Sequence, residues 1–456
     1  MKFKRSDVVR GVYKVPEIRC EDGDEVSLTS FAGLVIFQRL FFRLGIKRQL
    51  QTCFGHLRQS ATYRAHDIVF WLIVHLLLGF RKLRDRDYYH DDPMVQRVLG
   101  LNRLPDVATI SRTLKAMDEE AVTGCRGVSR NLVLDRLETE QLARVTLDFD
   151  GSVLSTGRHA EGTAIGFNKK KKGARSYYPL FCTVAQTAQI LDLHHRPGNV
   201  HDSNGAKPFM AACIGEVKDR LPEAAIETRV DSAFFNEEQL VALDDEGVQF
   251  TASVPFARFP KFKKIIEARK RWRRIDDTWS YFECDWKPDC WTQSFRIVVV
   301  RQKKAVPIKG PIQLDLFEPR SHEYDYQVTV TNKRCSAKHV IAFHHGRGSQ
   351  EGVFAESKQF CQMEYVPVRT LNGNQVYCLA AVMAHNLTRE LQIDTYERER
   401  GTTAKRRNLW GFETLGTLRN RLIRRAGRLI RPQGQLTLVI QANKKLRDEL
   451  ELYAAG

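Results

Sequence analysis

RVTLDFDGSVLST, residues 144–156, is where the period of the chain changes. Upstream, apolar residues recur every three to four positions. Here Val145, Leu147 and Phe149 alternate with Thr146, Asp148 and Asp150. Successive side chains of a strand point to opposite faces, so this is a strand with one apolar face and two carboxylates on the other. Either aspartate can carry chemistry there. Asp150 stands nearest the strand's end and precedes Gly151, which lets backbone approach a ligand closely; Asp148 is a neighbour that tunes it.

Two further strand patterns follow, SYYPLFCTVAQ (176–186) and QILDLHHRPG (189–198). A helix over 204–221, the strand AIETRVDSAFF (225–235), the helix NEEQLVALDDEG (236–247) and the strand VQFTASV (248–254) come next. Three strands, helix, strand, helix, strand is the order of a ribonuclease-H-like mixed α/β sheet, covered by helices on both sides. Residues 1–140 are mostly helical by pattern, with Phe31, Leu34, Val35, Phe37, Leu40, Phe41 and Leu44 on one broad stripe. Residues 256–335 contain alternating segments and four of the six Trp residues (272, 279, 286, 291), and read as a β-rich insertion. Core packing accounts for those rings, and stacking on an unpaired base is the functional alternative.

With 72 Lys plus Arg against 54 Asp plus Glu, the chain carries +18, which favours a polyanionic partner. IVFWLIVHLLLGF (68–80) is too short to span a bilayer and contains His75, so a buried helix is expected and no membrane. MKFKRSDVVRGVYK (1–14) lacks the apolar core of a signal peptide, so a cytoplasmic location is expected. The ten cysteines include no C-x-x-C pair, so neither structural zinc nor disulfides are expected. Eleven Lys or Arg residues between 398 and 431 face only Glu399 and Glu413, a candidate polyanion-binding tail. Lys169 to Lys172 form a lysine run in a hairpin loop, where Lys170 and Lys171 are placed to track a phosphate backbone. Residues 104–122 start a helix at Pro105, Asp106 and Thr109 and expose Ser111, Arg112 and Lys115, as a helix entering a DNA groove would.

Three acidic positions suit a shared site: Asp150 and Asp231 at strand ends, and Glu351 on a late helix. Strand ends of an open α/β sheet face a common crevice. Converging carboxylates repel unless a cation sits between them, and Mg²⁺, with Mn²⁺ able to substitute, takes such oxygen donors. Two such ions about 3.5–4 Å apart serve phosphodiester cleavage and strand transfer. Asp231 before Ser232 equally fits a strand-end turn. In HHGRGSQEGVFAESK (344–358), Arg347, Glu351 and Lys358 are spaced to share one helix face, about 40° and 20° apart. A solvated ion pair has the same spacing. The sharper reading is a metal-holding carboxylate between two phosphate-holding cations. His194, His195 and His201 surround RPGNVHD and read as a strand-end loop packing near the site rather than a metal cluster.

HHGRGSQEGVFAESK resembles the Tyr-(2)-Arg-(3)-Glu-(6)-Lys signature of DDE transposases from bacterial insertion sequences, with His344 at the Tyr position. LDFDGSV, IGFNKKKKGARSYYPLF, HHRPGNVHDSNGA and RVDSAFFNEE resemble consecutive blocks of the insertion-sequence-1380 family, in order across roughly residues 145–390. The resemblance implies a ribonuclease-H-like catalytic domain with a β-rich insertion, and Asp150, Asp231 and Glu351 as the metal-binding triad. His344 retains a hydrogen bond for phosphate in place of the Tyr.

The expected organisation is a helical DNA-binding region (1–140), a catalytic domain in two parts (141–255 and 336–395) around the insertion (256–335), and a basic tail (396–456). The expected function is a DNA transposase that binds double-stranded element ends, cuts them and joins the 3′ ends to target DNA. It would act as a homodimer on DNA, associated with the nucleoid. A structure-specific nuclease of the same fold and an inactive DNA-binding descendant are the rival readings. Replacing Arg112 or Lys115 with Gln is expected to weaken binding to element-end DNA; unchanged affinity at physiological salt in a gel-shift titration would remove the groove-binding assignment of that helix.

Overall fold

The computed structural model describes residues 27–57, 62–157, 159–166, 168, 171–201, 204–303, 324–440 and 443–455. The N-terminal stretch read for a targeting signal, Cys20, Lys169 and Lys170 lie outside these residues.

One nine-stranded sheet organises the chain. Its strands are β1 (Arg144–Gly151), β2 (Leu180–Val184), β3 (Gln189–His194), β4 (Ala225–Val230), β5 (Gln249–Ser253), β6 (Arg273–Arg274), β7 (Trp279–Trp286), β8 (Phe295–Lys303) and β9 (Tyr324–Thr331). They lie in the order β6-β7-β8-β9-β5-β4-β1-β2-β3. β1, β4 and β5 run parallel, β2 is antiparallel to both β1 and β3, and β9 joins β5 antiparallel. The β3-β2-β1-β4-β5 half is the ribonuclease-H-like arrangement expected from the order of elements. Among the described residues of 256–335, β7, β8 and β9 extend the same sheet, because the free edge of β5 accepts β9 as its next strand.

Helices cover both faces. Those that matter for the site and the cores are, from the N-terminus, α1 (Leu34–Arg43), α2 (Ala65–Leu78), α3 (Val107–Lys115), α4 (Glu119–Glu140), α5 (Ala206–Arg220), α6 (Glu237–Asp245), α7 (Pro260–Glu267), α8 (Ala337–His345), α9 (Ser349–Phe360) and α10 (Leu371–Thr395). On one face Val145, Leu147, Phe149, Val230 and Phe250 share a core with Phe209 and Ile214 of α5, Leu240 of α6, and Phe262 and Ile266 of α7. Trp286 stacks on Phe262 at 4.0 Å and Trp291 on Phe235 at 4.5 Å, so these rings serve packing.

The second core lies among the helices, where α10 packs against α2, α3, α4 and β3. α2 is the apolar run read as a buried helix, and its His75 donates to or accepts from Tyr89 Oη at 2.6 Å. Among the described residues no helix is long and apolar enough to cross a membrane. α10 also closes the sheet edge at β3, where Asn386 accepts from Ile190 N (2.9 Å) and donates to Ile190 O (2.8 Å) in place of a tenth strand.

The described residues of the basic tail, 396–456, are tied back to the rest of the chain. Gly427–Ile430 and Thr437–Ile440 pair with each other and with Leu28–Thr29. Arg398 pairs with Glu140, Arg421 with Glu413 and Glu449 (2.7 Å each), and Arg406 with Glu227 (2.7 Å). Arg419 is buried and donates to the carbonyls of Leu76 and Leu77, satisfying the C-terminal end of α2. Much of the positive charge expected to meet DNA there holds the protein to itself.

The opposite face of the parallel strands is polar and dry. Glu227, fully buried, accepts from Thr146 (3.2 Å), Lys333 (2.6 Å) and Arg406 (2.7 Å). Burial alone would raise its pKa, but the Arg406 hydrogen bond and Lys333 outweigh burial and bring it to about 2, from an ordinary 4.5. A carboxylate depressed in the folded state contributes stability that is full above pH 4.5 and lost as pH falls toward 2. Glu227→Gln is therefore expected to flatten that part of the acid limb relative to wild type and to cost about 3–5 kcal/mol at neutral pH, by leaving the buried Lys333 and the half-buried Arg406 without their carboxylate; urea melts from pH 2 to 7 measure both.

Candidate active site

Parallel pairing of β1 with β4 sets Thr146 opposite Glu227, Asp148 opposite Arg229 and Phe149 opposite Val230. The next residue on each strand is a carboxylate, Asp150 and Asp231. Neighbouring strands lie about 4.8 Å apart, so the two aspartates stand side by side at the carboxyl ends of adjacent parallel strands. Both are half-buried. Asp150 accepts from Gly151 N (2.8 Å) and from Arg347 Nη1 (3.1 Å). Asp231 caps the turn Ser232–Phe234 by accepting from Ala233 N (2.8 Å), so the turn-residue reading and a role in the site are compatible.

Behind them lies a pair that sequence reasoning missed. Arg229 is fully buried and grips Asp148 with Nε (2.5 Å) and Nη2 (2.7 Å). Burial pushes the Asp148 carboxyl above its ordinary pKa, against the pull of the guanidinium. The third nitrogen, Nη1, donates to the carbonyls of Phe343 (3.1 Å) and Lys405 (2.8 Å). Arg229 thus ties β1, β4, the end of α8 and the 405 segment together. The chain passes over it at Gly346, where a Cβ would lie 2.1 Å from Arg229 Nη1 and 1.9 Å from the Lys405 carbonyl, so only glycine fits. The alternation Glu227, Arg229, Asp231 was the available sequence signal, since charges inside a strand at period two face one side.

That crossing delivers α9 to the strand ends. Arg347 lies in the 3₁₀ turn Gly346–Gly348 between α8 and α9, not within one continuous helix. Gln350 donates to Asp148 O (2.8 Å) and Lys358 to Val153 O (2.8 Å), so α9 is laid along β1. Glu351, in the first turn of α9, is exposed. Among the described residues no three His, Cys, Asp or Glu side chains gather at metal-ligand spacing, so Asp150, Asp231 and Glu351 do not form a preassembled metal cluster. The two aspartates are hard oxygen donors of the kind Mg²⁺ takes, and in this respect the residues fit a divalent ion.

His344 is hydrogen-bonded to the sheet. Its Nε2 meets Ser253 Oγ at 2.8 Å and its Nδ1 meets Thr251 Oγ1 at 3.0 Å, and burial brings its pKa down to about 3, so a neutral ring fastens α8 to β5. Arg112 and Lys115 are exposed on α3, which ends at Lys115 and is capped by Asp106 through Thr109 N (2.6 Å). Lys171 is exposed in its loop, whereas Lys170 lies outside the described residues. His194 stacks on Phe209 and His195 packs on Tyr177, as a packing loop would.

Residues 15–455 match the family model described as transposase DDE domain group 1. The chain belongs to this DDE transposase family. The match takes in both the helical layer and the C-terminal segment that returns to it, so these belong to the transposase unit together with the sheet. No curated protein matches by sequence. Among solved structures, the cryo-EM structure of a piggyBac transposase synaptic complex with hairpin DNA is similar, at 13% identity and a TM-score of 0.44, over 86% of this chain and 79% of that one.

Arg229→Ala should destabilise the transposase by about 3–5 kcal/mol, because Asp148 is left buried without its partner. An Arg229→Met, Asp148→Leu double variant should recover much of that loss in a denaturant melt without recovering DNA cleavage, since the tether to Phe343 and Lys405 stays broken.

Proposed function

We propose that the chain is the transposase of a bacterial insertion sequence, of the insertion-sequence-1380 family, that binds the terminal inverted repeats of its element, cuts the ends and joins the 3′ ends to target DNA. The observation that carries this reading is the β1–β4 register, which sets Asp150 beside Asp231 under a helix that bears Glu351 and follows Arg347. The family and the net charge of +18 support a DNA substrate.

Asp150, Asp231 and Glu351 hold the divalent ions in this reading. Bound Mg²⁺, or Mn²⁺ in its place, would supply activation of a water or 3′-hydroxyl and stabilisation of the leaving oxygen. Asp231 is held in place by its turn and Asp150 by Gly151 N, so both carboxylates are oriented before substrate arrives. Arg347 and Lys358, together with Lys170 and Lys171, supply cations for the phosphates, and Arg112 and Lys115 contact the element end. His344 acts by holding α8 against β5. Since two ends must be joined, two copies work together on DNA, at the nucleoid.

The test incubates purified protein and Mg²⁺ with a plasmid carrying the gene's native flanking DNA, beside Asp150→Ala. Excised linear element from wild type alone supports the proposal. Nicking without excision points to a nuclease of the same fold, and binding without cutting to an inactive descendant. Glu351→Gln is expected to lower cleavage about a hundredfold or more with DNA binding unchanged; wild-type cutting by that variant would return Glu351 to a solvated helix face.

A further inference from the structure

The internal pairing of the C-terminal arginines leaves open where the exposed positive charge of this chain sits. One stretch stands out. KFKKIIEARKRWRR, residues 261–274, has eight Lys or Arg residues and one acid, Glu267. All of its basic residues except Lys263 are exposed.

This segment is rigidly mounted. α7 buries Phe262 and Ile266 in the sheet core, with Trp286 stacked on Phe262, so its other side must face solvent. Trp272 packs edge-on against Phe282 at 4.7 Å, and its indole donates to Arg269 O at 2.8 Å. Arg273 and Arg274 then form the edge strand β6, opposite Tyr281 and Ser280. Two of the carboxylates within reach are themselves exposed, Asp289 beside Lys261 and Asp277 beside Arg274, while the half-buried Glu283 lies 3.7 Å from Arg273 and is held more closely by Arg296 at 2.6 Å. Such pairs are weak and screened by salt. Lys270 and Arg271 have no acidic partner among the described residues.

The segment also begins on the side of the sheet where β4 and β5 end, the side that carries the candidate site. β5 runs parallel to β4, so its end at Ser253 lies on the same side as Asp231. Phe235, four residues past Asp231, packs edge-on against Phe259, the residue that opens α7, at 6.1 Å. A continuous aromatic contact therefore leads from the Asp231 turn to the start of the basic surface.

We propose that residues 261–274 form a track for the phosphate backbone of DNA leading away from the Asp150–Asp231 site. This rests on the reading of the chain as a DNA transposase. α7 spans about 12 Å. One strand of a duplex carries roughly three to four phosphates over that length, and the exposed cations continue beyond α7 to Arg274. The rigid mounting lowers the entropy cost of presenting them.

The test compares a Lys270→Gln, Arg271→Gln, Arg273→Gln variant with a charge-matched control, Arg84→Gln, Lys444→Gln, Lys445→Gln, and with wild type. Binding to an element-end duplex is titrated across salt concentrations, with thermal melts to confirm folding. The track variant should bind about tenfold or more weakly near physiological salt, and its slope of log K against log salt should fall by about two to three, while the control keeps the wild-type slope. Equal losses in both variants would mean that only net charge matters and would overturn the track. Unchanged binding by a track variant whose wild type binds and cuts would overturn it while sparing the transposase reading. A wild type that binds no duplex at any salt would overturn both.

Discussion

The bidentate pair between Arg229 and Asp148 is the constraint on which the site depends. Each charge taken from water costs several kcal/mol, which only close geometry with every hydrogen bond made can offset. Arg229 meets Asp148 only in one register of β1 against β4. A slip of one residue would turn every side chain of the strand to the other face, leaving the aspartate among apolar groups and Val145, Leu147 and Phe149 on the polar side. The register that satisfies the buried pair is also the one that sets Asp150 and Asp231 side by side. The buried pair and the candidate site are consequences of one alignment.

The same guanidinium reaches the helices. By donating to the Phe343 and Lys405 carbonyls it holds the end of α8 and the 405 segment against the sheet, and Gly346 lets the chain cross above it. Gln350, Arg347 and Lys358 then fasten α9 along β1. The two faces of the sheet work differently as a result. One is an ordinary apolar core against α5, α6 and α7; the other is held by paired charges at Glu227 and Asp148 and by the His344 hydroxyl contacts.

Charge distribution separates the two halves of the chain in the same way. Arginines of the 398–431 region serve as helix caps and ion-pair partners, and so hold the C-terminal segment to the helices and, through Arg406, to the sheet. The outer end of the sheet carries its cations on the surface, where its apolar residues face inward. A basic sequence run is thus two different objects, depending on whether carboxylates and carbonyls of distant segments come to meet it.

Period and order were legible in the sequence by itself. The alternation from Val145 to Asp150, the succession of elements to Ser253, the buried helix around His75 and the carboxylates at strand ends are all local patterns, because side-chain direction follows directly from backbone geometry. Partnership was decided only by the tertiary structure. Asp148 finds Arg229 81 residues away, Asp150 finds Arg347 197 away, Glu227 finds Arg406 179 away and the end of α2 finds Arg419 342 away. Which charges cancel, which strands extend the sheet beyond β5 and which hydroxyls His344 meets depend on those long-range meetings. No local pattern encodes them, since one exposed or buried cation reads the same in sequence until the fold brings its partner.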